Sequence, residues 1–146
     1  MPRKFLLAVS LTVLLPISDS VAAQASSRPP VAAIADKPFN IGIVLYTIGK
    51  AAGTLDARWN YANTYSGSGV ATGATPSSGF AGRYHVRYFL KSGKFSDEYD
   101  LDIARHAGDG FYDVTWITNG TVSAKGVGME LPNGGGLAVG WRRVTD

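Results

Sequence analysis

Four carboxylates cluster in the second half of the chain, where their spacing could serve two kinds of chemistry. Such a group offers oxygen ligands to calcium or a carboxylate pair for general acid–base catalysis. The four residues are Asp97, Glu98, Asp100 and Asp102. A turn at Ser92-Gly93 would set three of them against basic residues on an antiparallel strand: Glu98 opposite Arg87, Asp100 opposite His85 and Asp102 opposite Arg83. Cross-strand pairs of opposite charge explain these residues, so we predict no metal site.

The rest of the chain offers few catalytic groups. It contains no cysteine, which excludes disulfides, thiolate nucleophiles and Cys-ligated metal centres. Its two histidines are His85, within the charged pairs, and His106, beside a glycine-rich turn, and neither lies in a triad-like arrangement. The glycine-rich run 66–73 precedes no helical pattern and therefore does not indicate a phosphate-binding loop. We predict no catalytic residues and no cofactor.

The charge distribution argues against a nucleic-acid partner. The net charge is only +3, and most basic residues are dispersed among acidic ones. Eighteen glycines and sixteen aromatic residues in a chain that is 17% charged instead favour many short strands joined by turns.

The N-terminus has the pattern of an export signal. Arg3 and Lys4 precede an apolar stretch from Phe5 to Leu15, and Val21-Ala22-Ala23 forms a small-residue cleavage site. The apolar stretch is shorter than the roughly 20 residues that span a bilayer. We predict a signal peptide over 1–23, a flexible segment over 24–38 and one barrel domain over 39–146. The mature protein would be periplasmic or secreted, without membrane insertion.

An internal repeat indicates how the domain is built. Shifting the sequence by 57 residues aligns GTLDARW with GFYDVTW and gives nine identities over 29 positions. The matches include Trp59 with Trp116 and Gly69 with Gly126. We interpret this as a duplicated four-strand unit.

Alternation and turn residues predict eight strands. Short turns make sequence neighbours antiparallel, and closure of the eighth strand on the first removes exposed edges. We predict an all-β, eight-stranded antiparallel up-and-down barrel built from two four-strand repeats. The predicted strands are 40–48, 53–61, 65–73, 80–89, 96–105, 111–117, 121–130 and 137–143.

The same alternation assigns side chains to the two faces of the wall. Aromatic and aliphatic residues fall on one face and charged residues on the other, as expected for a barrel with an apolar interior. We expect Trp59 and Trp116 to lie inward over Gly69 and Gly126, because glycine lets an indole lie flat on the backbone. Asp113 is predicted to face Lys125 if the turn at Asn119-Gly120 is a three-residue loop with a bulge.

The chain resembles small exported bacterial proteins of calycin type. The resemblance covers roughly 53–143 and is carried by its glycine and aromatic positions, among them Gly82-x-Tyr84-x-Val86, Tyr112-x-Val114-Thr115-Trp116 and Leu137-Ala138-Val139-Gly140-Trp141. That group is similar in shape to lipocalins and avidins, is mostly uncharacterised, and includes a few members named fibronectin-binding. The resemblance implies a barrel and no particular activity.

Three function classes are considered. An enzyme would need convergent polar groups inside the barrel, and the inward residues include no carboxylate, histidine or lysine, so we predict that the protein is not an enzyme. A non-enzymatic binding protein would hold one small hydrophobic ligand among inward aromatic residues, whereas a filled barrel would be a structural or adhesion-type module that contacts an extracellular protein. An enclosed void of roughly 300 Å³ or more favours the binding protein. The predicted ligand-binding residues are Trp59, Tyr84, Tyr88, Tyr99, Tyr112, Trp116 and Trp141.

Overall fold

Eight strands joined by short connections close into an antiparallel β-barrel. The computed structural model describes residues 39–73 and 79–144, and the predicted signal peptide and the segment 24–38 lie outside them. Each strand pairs with its sequence neighbour and the last pairs with the first, which confirms the predicted up-and-down barrel and is consistent with a calycin-like fold. The strands are β1 Gly42–Ile48, β2 Thr54–Tyr61, β3 Tyr65–Gly73, β4 Gly82–Leu90, β5 Phe95–Arg105, β6 Phe111–Thr118, β7 Thr121–Glu130 and β8 Leu137–Arg143. Within the described residues there is no helix of the length and apolarity needed to cross a membrane.

The turn between β6 and β7 corrects one predicted pairing. Asn119 and Gly120 both have positive φ, 51° and 76°, as a two-residue hairpin turn requires. A register shift next to Trp116 then places Asp113 opposite Val127, so the predicted pairing of Asp113 with Lys125 is wrong. The prediction assumed a three-residue loop, which would have shifted the register differently.

The inward face of the wall forms the hydrophobic core, as the alternation predicts. All the inward residues named by the pattern are buried or half-buried, and the buried set contains no charged side chain among the described residues. The largest fully buried side chains are Tyr46, Tyr112, Phe80, Leu55, Leu101, Ile103 and Leu137.

The meander gives the barrel two different ends. The connections 62–64, 91–94 and 119–120 lie at one end, which we call the open end. The connections 49–53, 106–110 and 131–136 lie at the other, which we call the closed end. Phe80, just before β4, is 1% exposed there, and its carbonyl accepts a hydrogen bond from the Tyr84 hydroxyl at 3.0 Å. Among the described residues, side chains fill the interior of the barrel at the closed end.

Candidate ligand-binding cavity at the open end

A cavity of about 800 Å³ occupies the open end of the barrel. Its inner lining is largely aromatic. Even-numbered strands end at the open end and odd-numbered strands begin there, so inward residues from both sets of strands lie at the same level. Five of the seven predicted ligand-binding residues line it: Trp59, Tyr88, Tyr99, Trp116 and Trp141.

The floor of the cavity is a hydrogen-bonded aromatic group. The Trp116 indole Nε1 donates to the Tyr88 hydroxyl at 2.8 Å, and the Tyr88 and Tyr46 hydroxyls lie 2.5 Å apart. Burial raises the pKa of Tyr88 to about 12 and holds the pKa of Tyr46 well above its ordinary value. These phenols are neutral at physiological pH, and the polar atoms of the floor are satisfied by hydrogen bonds to one another.

The side walls are aromatic rings in edge-on or tilted contact. Trp59 meets Tyr88 edge-on with centroids 6.1 Å apart, and Trp116 lies 5.8 Å from Trp141. The Trp59 Nε1 donates to the Ser68 carbonyl at 3.0 Å, so its polar atom is satisfied by the wall. Tyr99 lies 6.2 Å from Tyr88 and continues the ring of aromatics toward β5. The walls thus offer flat apolar surfaces for stacking.

A cation and two rings form a layered stack at the rim. Tyr61 stacks on Trp141 at 5.2 Å with an interplanar angle of 14°, and the Arg143 guanidinium carbon lies 4.9 Å from the Tyr61 centroid. The Asn40 side chain bonds both backbone groups of Arg143, donating to its carbonyl at 2.9 Å and accepting from its N–H at 2.8 Å. The sequence prediction missed Tyr61, although one further step of the alternation after Trp59 would have included it.

Polar groups gather at the mouth rather than in the cavity's interior. Lys94, Asp97 and Arg143 all contribute to the lining and are exposed. Two of these charges affect the Tyr99 hydroxyl. Burial and the charge of Asp97 raise its pKa, whereas the charge of Arg143 lowers it. A ligand's apolar part would therefore lie among the rings while its polar part remains at the mouth.

Two predicted ligand-binding residues, Tyr84 and Tyr112, do not line the cavity. Both are buried toward the closed end. The Tyr112 hydroxyl donates to Glu130 at 2.8 Å and accepts from Arg105 at 2.9 Å. These tyrosines belong to the filled end, because β4 and β6 begin there.

A tryptophan ring does lie on a glycine, as predicted, but the residues involved differ from those predicted. A side chain at Gly69 would meet the Tyr88 ring, and one at Gly42 would collide with the Trp141 ring. Gly126 instead faces Val139 and the Cβ of Trp141. The register places Trp59 opposite Gly67 and Trp116 opposite Ala124, so neither tryptophan lies over its predicted glycine.

The acidic cluster forms the predicted ladder on the outer wall. The register places Arg83 opposite Asp102, His85 opposite Asp100 and Arg87 opposite Glu98. His85 lies 3.3 Å from both Asp100 and Glu98, whose hydrogen bonds raise its pKa. Over residues 39–73 and 79–144, no group of three or more candidate ligands is arranged to hold a metal ion.

His106 lies away from the cavity, at the closed end. Its Nδ1 lies 3.1 Å from a carboxylate oxygen of Asp113, and both side chains are exposed. Asp113 therefore contacts His106 and not Lys125, the partner predicted from the sequence.

Comparison with known proteins adds no relative to this picture. No protein-family model matches the chain, and neither does any curated protein or solved structure. What the cavity can bind therefore follows from its own lining.

Proposed function

We propose that this protein is an exported, non-enzymatic β-barrel that binds one small hydrophobic ligand in the open-end cavity. The observation that carries the proposal is a space of about 800 Å³, open to solvent at its mouth, with a largely aromatic inner lining above a hydrogen-bonded floor. Small-molecule sites typically have about 300–1,000 Å³, apolar walls and a few polar groups that orient the ligand.

The lining supports a ligand with a flat apolar body. Trp59 and Trp141 are half-buried and offer ring surfaces, and each Å² of apolar surface removed from water contributes roughly 25 cal/mol. Ser123 and Thr118, joined by a 2.8 Å hydrogen bond, supply hydroxyls at the mouth for a polar end group.

Export and ancestry belong to the same proposal. The pattern of 1–23 supports secretion or a periplasmic location, and the glycine and aromatic positions support a relation to calycin-type exported proteins. The aligned Trp59 and Trp116 support descent from a duplicated four-strand unit.

Native mass spectrometry of protein purified from its own host tests the proposal. We expect one small molecule per chain, lost on mild activation. A Thr118→Phe variant, which narrows the mouth, should carry much less of it, whereas Thr115→Phe on the outer wall of the same strand should carry as much as the wild type. A wild-type mass equal to the bare chain, together with failure to take up any apolar molecule offered, would overturn the proposal in favour of a structural or protein-interaction module.

A further inference from the structure

An apolar band crosses the outer wall on the side formed by β6, β7, β8 and β1. In one row across these strands, Phe111 lies opposite Met129, Met129 opposite Ala138, and Ala138 opposite Leu45. In the next row, Val127 lies opposite Gly140, and Gly140 opposite Ile43. These residues define the apolar band. On β6 the second row ends the apolar band, because the residue opposite Val127 is Asp113, whose carboxylate lies 3.1 Å from His106.

The band is exposed to solvent to an unusual degree for large apolar side chains. Val127 is 71% exposed, Ile43 61%, Met129 53% and Phe111 50%. Gly140 in the middle has nothing within 4 Å of the space a side chain would occupy. Contiguous exposed apolar patches of this kind mark interaction sites.

The row next to the band, toward the open end, carries two opposed cations. Lys125 lies directly opposite Arg142 on the outer face. Among the described residues neither makes an ion pair, whereas the cations of the ladder on β4 do. Like charges in directly opposite positions destabilise a sheet, so the pair calls for an anionic partner.

We propose that the apolar band and the Lys125–Arg142 pair form a docking surface for an anionic phospholipid membrane. Apolar side chains enter the headgroup region while adjacent cations bind lipid phosphates, the combination by which peripheral proteins attach to membrane surfaces. Neither the band residues nor the Lys125–Arg142 pair line the open-end cavity, so docking leaves the cavity and its ligand separate from the contact.

The charge pattern disfavours a second copy of the chain as the occupant. Two bands related by a two-fold axis would place the cation row of one copy against either the cation row or the apolar row of the other. The first arrangement opposes four cations, and the second buries cations against apolar side chains. A phospholipid membrane suits both, because its phosphates bind the cations and its headgroup region accepts the apolar side chains.

Vesicle co-sedimentation tests this surface. We expect the purified protein to bind vesicles that contain phosphatidylglycerol, to bind phosphatidylcholine vesicles far more weakly, and to dissociate as salt is raised. The double variant Lys125→Ala/Arg142→Ala should bind roughly 30-fold more weakly. The double variant Arg83→Ala/Arg87→Ala, with the same loss of charge on the ladder face, should stay within about twofold of the wild type.

A second pair of variants tests the apolar contribution. Val127→Glu should abolish vesicle binding, and Val70→Glu, at an exposed outward position on β3, should not. Circular dichroism checks that each variant is folded.

Three results would overturn the inference. These are no binding to phosphatidylglycerol vesicles, equal losses in the two double variants, and a dimer in native mass spectrometry that Val127→Glu converts to monomer. The last result would assign the band to a second copy. None of these outcomes depends on whether the cavity binds a ligand, which the mass measurement decides separately.

Discussion

The two ends of the barrel use similar residues for different purposes. At the closed end, Phe80 and Leu137 are at most 1% exposed, and Tyr112 is tied to Arg105 and Glu130. At the open end, Trp59 and Trp141 are only half-buried and surround a space of about 800 Å³. Aromatic content alone therefore does not distinguish a core from a binding site, and what matters is whether something fills the space between the rings.

Glycines help to explain why the open end remains open. The Trp141 ring lies against Gly42, and the Tyr88 ring lies against Gly69. Because glycine has no side chain, each ring can lie close to the backbone of the wall instead of projecting to the centre. At the closed end, Phe80 enters from a connection and fills the middle.

The largest effect is expected from removing the Trp116 ring, which lies between the two regions. Trp116 is 4% exposed and donates to Tyr88, so Trp116→Ala leaves a large void and removes one of the two hydrogen bonds of the Tyr88 hydroxyl. We expect a loss of about 3–5 kcal/mol of unfolding free energy, measured by urea denaturation. A loss below about 1 kcal/mol would show that the floor is not part of the core.

Alkaline titration tests the neutral floor. Burial raises the pKa of Tyr88 from 10.0 to about 12, so its contribution to stability is complete below the unfolded-state pKa and is lost as pH rises from 10 toward 12. We expect a fall of about 2–3 kcal/mol over that range, with tyrosinate absorbance at the end of the range rising together with unfolding. The Tyr88→Phe variant should lose less over the same range. Early ionisation of every tyrosine without unfolding would contradict the buried floor.

A smaller loss of stability is expected from a substitution that narrows the open end. Gly42→Ala would displace the Trp141 ring toward the cavity, since the new methyl group takes the ring's place. We expect a loss of about 1–3 kcal/mol in stability together with weaker binding of the neutral dye N-phenyl-1-naphthylamine.

Gly140→Ala on the neighbouring strand is the matched control, because open space surrounds that position. It should leave both stability and dye binding near their wild-type values. Equal effects of the two substitutions would contradict the role assigned to Gly42.

The smallest effect is expected on the charged outer wall. Arg83→Ala and Asp102→Ala should each cost at most about 1 kcal/mol, because this pair is 4.0 Å apart and the arginine side chain is 88% exposed. Thermal denaturation at low and high salt measures it. A cost of several kcal/mol would mean that the ladder stabilises the barrel more than exposed ion pairs do.

The strands and the two faces of the wall could be predicted because alternation and turn glycines act locally. The order of the strands also determines which end of the barrel each aromatic residue occupies. Trp141 lies late in β8, which runs toward the open end, whereas Tyr84 lies early in β4, which begins at the closed end. The sequence prediction grouped them by face without using strand direction. That step would have separated Tyr84 and Tyr112 from the cavity residues.

Other features depend on packing that no local pattern encodes. The shift beside Trp116 sets that residue opposite Ala124, and the burial of Phe80 helps to fill the closed end. Duplication stays a prediction: Trp59 and Trp116 align in sequence, yet one is half-buried and the other is buried.

The central claim is that the open end binds an apolar molecule, and the chain's own fluorescence tests it most directly. All three tryptophans, Trp59, Trp116 and Trp141, line the cavity. Titration with N-phenyl-1-naphthylamine under tryptophan excitation should quench their emission and saturate at one dye per chain. Thr118→Phe should weaken this binding by at least about tenfold, and Thr115→Phe should leave it unchanged. Absent quenching, or quenching that is the same in both variants, would contradict a ligand site at the open end.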